Sequence, residues 1–464
     1  MRCIIIMILG LVIPVLAQSQ NKKNVVFILV DDLGWKDLAY AGSPLYHTPH
    51  IDDLASTSVI FNQAYAAHPV CSPSRASILT GKNPIRIGIS DWIPGSDPKD
   101  RRLLGPEDLH QLPLEEVTMA EILKENGYTT FFAGKWHLGN GRYTPENQGF
   151  DINIGGIDKG SPPGGYYTPY KNPKLPDGPE GEYLTDRLTT ETIDFITENH
   201  DQPFLAYLSF YTVHTPIQAN KEFRPLYDQI QVPDKRIPLG EGESLLYQNN
   251  LDYASMVTAM DKNVGRIVNN LKELDLWDNT ILIFTSDNGG LSTLYPGRDI
   301  PTSTFPSRGG KGWEYEGGIR IPLVIHDPDQ KSGSIRNEPA VHMDLLPTLL
   351  ASLEIQYTPP LPFDGINLFD ENFSKNGSRK TLFWHFPHYH GSGWKPGSAL
   401  RSGEWKYIYT YEDEKSELYN LDSDPEESVN LSTRFPDRTM DMKKKLFDLI
   451  DESNGKYPVQ NPDW

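Results

Sequence analysis

Two continuous apolar runs in this sequence each end abruptly in a pair of acidic or amide side chains. Residues 24–30 read NVVFILV and precede Asp31-Asp32, and residues 280–286 read TILIFTS and precede Asp287-Asn288. An unbroken apolar run of this length, rich in β-branched residues, is typical of a strand covered on both faces. The chain is therefore expected to fold around a buried, mainly parallel sheet.

Helices alternate with strands along most of the chain. Helices are predicted over residues 50–58, 71–80, 118–127, 183–199 and 251–274, and further strands over 128–134 and 204–210. This alternation predicts an α/β fold, with a large, mostly parallel or mixed sheet flanked by helices.

From about residue 376 the pattern changes to short segments that predict antiparallel strands, TLFWHF, ALRSGEWKYIYTY and SELYNL, and then a helix over roughly 437–452. We therefore divide the chain into an N-terminal segment at 1–17, a large α/β domain at 18–375 and a smaller C-terminal subdomain at 376–464. The subdomain is expected to hold a small antiparallel sheet and the terminal helix.

Residues 1–17, MRCIIIMILGLVIPVLA, have the layout of a secretory signal peptide. Arg2 supplies a short positive region, and the apolar run that ends at Ala17 is too short to span a bilayer comfortably. We expect cleavage near Ala17, no membrane span afterwards, and an exported protein, periplasmic or secreted. The alternative is an N-terminal membrane anchor, which the short run disfavours.

Charge and cysteine content exclude several classes of protein. The 43 basic and 62 acidic side chains give a net charge of −19, which argues against a nucleic-acid partner because such a binder needs a basic surface. Cys3 and Cys71 are the two cysteines, too few for a disulfide framework or an all-cysteine zinc site. Since Cys3 lies in the predicted signal peptide, the mature chain would keep Cys71 alone.

The polar clusters after the two apolar strands suggest a metal site. Ligands bind at the carboxyl ends of the strands in open α/β sheets, and the oxygens of Asp31, Asp32, Asp287 and Asn288 suit Ca²⁺ or Mg²⁺. The alternative is that these residues form helix caps and turns, where Asp and Asn are common.

Cys71 opens the segment Cys-Ser-Pro-Ser-Arg-Ala-Ser-Ile-Leu-Thr-Gly, which predicts a helix ending at Gly81. Pro73 suits a first helical turn, so Cys71 would lie at a helix N-terminus, where anions bind. A helix N-terminus also lowers the pKa of a thiol, so a plain reactive cysteine is the alternative.

The chain resembles the type I, formylglycine-dependent sulfatases. The segment from Cys71 to Arg75, with Thr80-Gly81, is similar to the first signature of that family, and Gly134-Lys-Trp-His-Leu-Gly139 to the second. The resemblance continues from VVFILVDDLGW through TSDNGG and GGKGWEYEGGIRIPL to GEWKYIY and ELYNLDSDPEE. It implies the alkaline-phosphatase-like sulfatase fold, with 18–375 as the catalytic domain.

The resemblance also implies roles for single residues. A formylglycine-generating maturation enzyme would oxidise Cys71 to Cα-formylglycine (3-oxoalanine). One divalent ion, usually Ca²⁺, would be held by Asp31, Asp32, modified Cys71, Asp287 and Asn288. Arg75, Lys135 and His137 would support the formylglycine hydrate, while His214 and Lys311 would face the sulfate and the leaving oxygen. Ser161 is a weak candidate for one further polar group of the family, because the local match is poor.

The chemistry of sulfate esters is consistent with these roles. An alcohol nucleophile would leave a stable sulfated enzyme, whereas a hydrated aldehyde has a second hydroxyl whose deprotonation expels sulfate. The divalent ion activates the nucleophile, and cations at Arg75, Lys135 and Lys311 stabilise the charged group in transfer. His214 fits protonation of the basic leaving alkoxide, with Lys311 as a second candidate, and His137 fits the base that releases sulfate.

Substrate recognition is predicted in the segment HFPHYHGSGW and just after it. The candidates are His385, His388, His390, Trp394 and Arg401. The alternative is a loop packed by its own aromatic side chains. Asp91-Trp92 and the loop at 155–170 are weaker candidates, since loops often carry specificity.

These features predict a secreted enzyme that hydrolyses sulfate esters of a carbohydrate, either a polysaccharide or its oligosaccharides. Marine algal polymers such as ulvan or carrageenan, and animal glycosaminoglycans, are all candidate substrates. The alternative within the superfamily is a phosphodiester or phosphonate monoester hydrolase. A non-catalytic glycan-binding relative is a third hypothesis, which the complete set of catalytic residues disfavours.

Overall fold

The apolar run at Asn24–Val30 forms a central strand of an eight-stranded sheet in the computed structural model. The structure describes residues 22–96, 98–359, 362–370 and 381–464. The predicted signal peptide at 1–17 lies outside these ranges, as does the predicted domain boundary after residue 375. None of the helices in the described ranges is long and apolar enough to cross a membrane.

The strands are numbered in chain order: β1 (Asn24–Val30), β2 (Val59–Phe61), β3 (Ala64–Tyr65), β4 (Leu103–Leu104), β5 (Thr129–Gly134), β6 (Ile152–Ile154), β7 (Phe204–Ser209), β8 (Arg236–Leu239), β9 (Gly242–Leu245), β10 (Thr280–Ser286), β11 (Thr293–Leu294), β12 (Leu323–His326), β13 (Ser334–Arg336), β14 (Ala340–Val341), β15 (Thr381–Phe386), β16 (Gly397–Ser402), β17 (Trp405–Thr410), β18 (Lys415–Asn420) and β19 (Val459–Gln460). The helices are α1 (Pro49–Ser56), α2 (Cys71–Thr80), α3 (Pro84–Ile87), α4 (Met119–Glu125), α5 (Leu184–Glu198), α6 (Leu251–Glu273), α7 (Glu316–Ile319), α8 (Leu345–Ser352) and α9 (Pro436–Glu452).

The large sheet is mixed, and its parallel half carries the two apolar strands noted above. Its order is β13-β2-β12-β10-β1-β7-β5-β6. The five strands from β10 to β6 run parallel, whereas β12 is antiparallel to both β10 and β2. The predicted α/β fold with a mostly parallel, mixed sheet is confirmed.

Both faces of β1 are covered, which explains why its sequence is apolar at successive positions. Val26 and Ile28 pack in a core with α5 and α6 on one face. Val25 and Phe27 pack in a second core with α2, α4 and α8 on the other. Alternate side chains of a strand point to opposite faces, so a strand between two helical layers needs apolar residues throughout.

The C-terminal part of the chain forms the predicted small antiparallel sheet, with order β15-β16-β17-β18. One face packs against α9 through residues such as Leu400 and Leu446. The other face contributes Trp384 and Phe386 to a core shared with Tyr65. The small sheet is therefore joined to the large α/β part by a continuous apolar contact.

A buried ion network crosses the same contact. Lys406 on β17 is fully buried, and its Nζ lies 2.9 Å from Glu316 Oε1 and 2.8 Å from Glu427 Oε1. Glu316 is the first residue of α7, so this lysine connects the small sheet with the segment that follows Lys311.

Lys406→Ala is expected to lower the free energy of unfolding by about 3–5 kcal/mol, because two buried carboxylates lose their cation. Chemical denaturation measures the change. The control is Lys444→Ala, which removes an exposed pair with Asp448 one helical turn away and should leave the denaturation midpoint unchanged. Equal midpoints for the two variants would contradict a stabilising role for the network.

Candidate active site

Neighbouring strand ends bring charged side chains together at one edge of the large sheet. β1 and β10 are parallel and end level with each other, so Asp31 and Asp287 follow at the same height. β7 pairs with both β1 and β5, and Lys135 directly follows the last residue of β5. The carboxyl ends of parallel strands face the same way, which places all three residues at one edge.

Each of the three carboxylates at this edge contacts a buried cation. The pairs are Asp31 Oδ2 with Lys135 Nζ at 2.7 Å, Asp32 Oδ1 with Lys311 Nζ at 2.7 Å, and Asp287 Oδ2 with Arg75 Nε at 2.9 Å. All six side chains are buried. Charges are buried in proteins only when they are paired or bind a metal, and this cluster meets that condition.

The carboxylates differ in how strongly their surroundings favour ionisation. Burial, together with the charges of Asp287 and Asp32, raises the pKa of Asp31 to about 8, although Lys135 lowers it. Burial also opposes ionisation of Asp32, but the charges of Lys311 and Lys135 and the hydrogen bond from Lys311 outweigh it and lower its pKa. Burial thus disfavours the charged form of the Asp31 carboxyl, which a cation bound beside it would stabilise.

Two buried oxygens in the cluster are free to act as ligands. Asp31 Oδ1 and Asn288 Oδ1 have no hydrogen-bond partner. Ligand atoms of Asp31, Asp32, Cys71 and His214 all lie within 4.8 Å of one another. The residues present therefore fit a divalent cation that prefers oxygen ligands.

The structure adds two observations about the predicted set of ligands. Asp287 has both oxygens engaged, since Oδ1 accepts a hydrogen bond from the Asp32 N–H at 3.2 Å and Oδ2 pairs with Arg75. Asp287 thus holds Asp32 and Arg75 in place. Both oxygens of Asp32 are likewise engaged, by Asn288 and Lys311, so such contacts remove neither carboxylate from the predicted ligands. His214, which the sequence placed only at the leaving oxygen, lies within the ligand cluster.

Cys71 is the first residue of α2, a helix in which every residue is buried. The helix ends at Gly81, whose left-handed φ of 67° allows the predicted stop. Burial raises the pKa of the Cys71 thiol to about 11, although the charges of Lys135 and Lys311 lower it. The alternative of a thiolate activated by the helix N-terminus is therefore not supported.

Arg75 lies one helical turn after Cys71 and ties α2 to the strand ends. Its Nε donates to Asp287, and its NH1 donates to the Lys135 carbonyl at 2.8 Å and to Ser209 Oγ at 2.6 Å. Ser209 ends β7. The arginine therefore fixes the position of Cys71 relative to the edge of the sheet as well as supplying charge.

The tautomer of His137 is set by its surroundings. Its Nε2 contacts the Ile93 carbonyl, which can only accept, so Nε2 carries the proton. Nδ1 is buried without a partner and holds the lone pair. Burial and the charge of Lys135 keep the pKa of His137 well below its usual range. Its neutral ring thus offers a base at Nδ1.

His214 has the opposite tautomer. Its Nδ1 lies 2.7 Å from the Thr215 carbonyl and donates to it, so the neutral ring has its lone pair on Nε2. This Nε2 lies 3.7 Å from Asp32 Oδ2. Burial and the charge of Lys311 lower the pKa of His214 to about 3, although Asp32 raises it. His214 therefore carries no proton on Nε2 before substrate arrives.

A cavity of about 980 Å³ opens above these groups. Its inner wall includes Cys71, His137, His214, Lys311 and His390. Its rim is formed by Trp92, His110, Asn140, Lys159, Ser161, Arg298 and Asp299, among others. The predicted catalytic residues that it exposes and the buried cluster beneath them thus form one site.

A family model described as Sulfatase matches residues 23–355. This chain belongs to the sulfatase family. A second model, described as N-sulphoglucosamine sulphohydrolase, C-terminal, matches residues 310–452 of this sulfatase, a range that includes the small sheet and α9. The motifs at Cys71 and Lys135 thus led to the correct family, and the chain is a hydrolase of sulfate esters.

The similarity extends over nearly the whole sulfatase. Arylsulfatase J of Mus musculus is 29% identical, over 95% of this chain and 78% of its own. A sulfatase of Formosa agariphila is also 29% identical, over 95% of this chain and 91% of its own. The crystal structure of Ps i-CgsB in complex with k-i-k-neocarrahexaose has a TM-score of 0.76 at 28% identity, and the match covers 96% of this chain and 95% of that chain.

The sulfatase places only one of its five predicted recognition residues at the cavity. His390 lines it. His385 contacts Ser398 and the Lys456 carbonyl, and His388 contacts Ser90. These two rings are buried away from the cavity that holds Cys71, and His385 lines a separate, smaller one.

Trp394 and Arg401 likewise do not reach the cavity. Trp394 packs in the core with its ring centroid 5.5 Å from that of Trp313, and Arg401 on β16 contacts Tyr65 and Gln63. The predicted recognition role is therefore wrong for these two residues and for His385 and His388. Their strands and the packed loop direct these side chains into the protein and away from the cavity. The alternative of a loop packed by its own aromatics holds for the contact of Phe386 with His388, but Trp394 and Arg401 pack against residues outside the segment.

Of the weaker candidates for substrate recognition, Asp91-Trp92 and the loop at 155–170, some residues line the cavity and others do not. Trp92 and Ser161 line the cavity, whereas Asp91 instead accepts hydrogen bonds from the N–H groups of Trp92 and Ser96. Asp91 therefore shapes the turn that presents Trp92.

Two site residues were missed at the level of sequence. Ser72 Oγ donates to the His137 carbonyl at 3.0 Å and accepts from the Ile93 N–H at 3.0 Å. It thus joins α2 to the backbone of His137 and to Ile93, whose carbonyl contacts the His137 ring. Gly160 lies against that ring, and a Cβ there would be 2.7 Å from His137 Cε1. Ser72 follows Cys71 directly, but nothing in the sequence links Gly160 to His137.

Proposed function

We propose that this sulfatase removes sulfate from a sulfated carbohydrate, with Cys71 converted to formylglycine and Ca²⁺ bound beside it. One observation carries the proposal: the cavity ends on Cys71 at the point where three carboxylates and three cations converge. The likeness over nearly the whole chain to Ps i-CgsB, whose structure contains a neocarrahexaose, supports a carbohydrate substrate.

The donor set determines where the cation would bind. Asp31 and Asn288 offer free oxygens, and Asp32 and residue 71 lie beside them. When bound, Ca²⁺ supplies charge that lowers the pKa of a coordinated hydroxyl. With all three carboxylates ionised beside a bound cation, they balance the charges of Arg75, Lys135 and Lys311, so a divalent ion would leave the cluster positive and favour a sulfate group.

The nucleophile comes from residue 71. Formylglycine supplies, as its hydrate, one hydroxyl that attacks sulfur and a second whose deprotonation allows sulfate to leave. Arg75 ties the helix that begins with residue 71 to the sheet edge, where Lys135 pairs with Asp31. His137 Nδ1, buried and without a partner, is the base for the second step.

Proton delivery to the leaving oxygen is assigned to His214. Its Nδ1 is occupied by the Thr215 carbonyl, so Nε2 is the atom that faces the site. The ring must gain a proton at Nε2, and the negative charge that a sulfate ester brings favours this. Lys311, charged and 2.7 Å from Asp32, is the second donor within the site.

His214→Ala is expected to lower kcat about 10²–10⁴-fold on carbohydrate sulfates and less than about tenfold on 4-nitrophenyl sulfate. A sugar alkoxide needs a proton to leave, whereas 4-nitrophenolate does not. Steady-state kinetics on both substrates measure the ratio. Equal losses on the two would argue against the acid role.

Phosphodiester hydrolysis is the competing activity. Purified enzyme is assayed with 4-nitrophenyl sulfate and bis(4-nitrophenyl) phosphate under the same conditions. The proposal requires the sulfate to be preferred, and a preference of several orders of magnitude for the phosphodiester would overturn it. Desulfation of defined carrageenan, ulvan and glycosaminoglycan oligosaccharides then identifies the carbohydrate.

Export is also proposed, from the layout of residues 1–17. N-terminal sequencing of the mature protein from the periplasm or medium should begin near Gln18. Recovery of the intact N-terminus in a membrane fraction would support an anchor instead.

A further inference from the structure

His390 differs from the other four predicted recognition residues, because its ring lines the cavity while the others are turned away. The residue starts a tight turn in which its N–H donates to the Trp394 carbonyl at 3.1 Å and its carbonyl accepts from Gly393 at 3.0 Å. The turn fixes the backbone that carries the ring.

Gly312, which directly follows Lys311, leaves the space that the His390 ring occupies. A Cβ at residue 312 would lie 2.0 Å from His390 Nδ1, and Gly312 has a φ of +82° that L side chains rarely adopt. The glycine thus lets the imidazole lie against the backbone beside the catalytic lysine.

Hydrogen bonds determine which nitrogen of His390 carries the proton. The Ser392 N–H donates to Nδ1 at 3.2 Å, and Ser392 Oγ lies 2.7 Å from the same atom. A backbone N–H can only donate, so Nδ1 holds the lone pair and the neutral ring carries its proton on Nε2. Nε2 is therefore a hydrogen-bond donor.

The neutral His390 ring is suited to an uncharged partner. Burial and the charge of Lys311 lower the pKa of His390 to about 3, although Asp32 raises it, so the ring adds no charge to the site. Lys311 and the buried cations already serve the anionic sulfate. A neutral donor beside them is suited to a hydroxyl, ring or amide oxygen.

We propose that His390 Nε2–H donates a hydrogen bond to an uncharged oxygen of the sugar ring that bears the sulfate, and so makes this sulfatase select sugar sulfates over simple sulfate esters. The inference rests on the proposed carbohydrate sulfatase activity and adds the residue and the kind of atom that it recognises.

The test compares wild type, His390→Ala and His390→Gln on two probes. The first is 4-nitrophenyl sulfate, which has no sugar oxygens. The second is whichever carrageenan, ulvan or chondroitin sulfate oligosaccharide the wild type desulfates fastest. His390→Ala should lower kcat/KM on the oligosaccharide about tenfold or more, because a donor is lost, and should change kcat/KM on 4-nitrophenyl sulfate less than about threefold. His390→Gln, whose amide N–H reaches a similar position, should recover part of the loss.

His388→Gln is the matched control, since His388 lies in the same loop but contacts Ser90 outside the cavity; it should leave the ratio between the two probes unchanged. Equal losses on both probes for His390→Ala would overturn the inference, as would a Gln variant no better than Ala. A wild type inactive on both probes would instead overturn the proposed function, and the inference with it.

Discussion

Cys71→Ala is expected to abolish turnover of sulfate esters, with kcat/KM falling about 10⁵-fold or more. A methyl group cannot be oxidised to formylglycine, so no nucleophile remains at the first residue of α2. Because the substitution removes one sulfur atom, the fold should persist, as circular dichroism and thermal unfolding would show. Substantial activity in this variant would contradict the mechanism.

Cys71→Ser tests separately the roles of the two hydroxyls of the formylglycine hydrate. Its single hydroxyl can attack sulfur as the ester S–O bond breaks and the leaving oxygen takes a proton, but no second hydroxyl remains to expel the sulfate. We expect at most one turnover per enzyme, with a sulfated peptide found by mass spectrometry. The same measurement on wild type should show an aldehyde in place of the Cys71 thiol.

Asp31→Asn is expected to have the second largest effect, with kcat falling about 10³-fold or more. The amide removes the charge that balances a divalent cation at Asp31 Oδ1. Cation binding can be measured separately from activity, because added Ca²⁺ should raise the thermal unfolding temperature of the wild type. At a Ca²⁺ concentration 100 times Kd, the folded state should gain about 2.7 kcal/mol in stability. The variant should show little or no shift.

Asp299→Asn is the control for this experiment. Asp299 is an exposed carboxylate on the rim of the same cavity, so its neutralisation should leave the shift caused by Ca²⁺ intact. If Asp31→Asn kept the full shift, the cation would not bind at the strand ends.

The predicted metal ligands came largely from local sequence, because the ends of two buried strands are visible as apolar runs followed by polar residues. The position of His214 beside this cluster could not be predicted in the same way. It reaches the cluster from the loop after β7, and only the packing of that loop over β1 brings its Nε2 to 3.7 Å from Asp32. The distance depends on contacts between segments that are far apart in sequence.

The predicted recognition residues show most clearly what local sequence could not determine. The segment HFPHYHGSGW contains six aromatic or imidazole side chains, and its sequence does not separate those that face the cavity from those that are packed away. Which of them faces the cavity depends on the pairing of β15 with β16 and on the turn that begins at His390. The close approach of the His390 ring to Gly312 could not be predicted from local sequence, because the two residues are far apart in the chain.

The sequence by itself determined the α/β fold, the helix that begins at Cys71, the charged strand ends and the family, because strand burial, helix capping and signature motifs are local properties. The tertiary structure decided the proton positions on His137, His214 and His390, the bridging roles of Arg75 and Asp287, and which recognition residue reaches the cavity. The physical reason is that a hydrogen-bond partner or a close approach is set by atoms from distant segments, whose relative positions are fixed only when the two cores pack around the sheet.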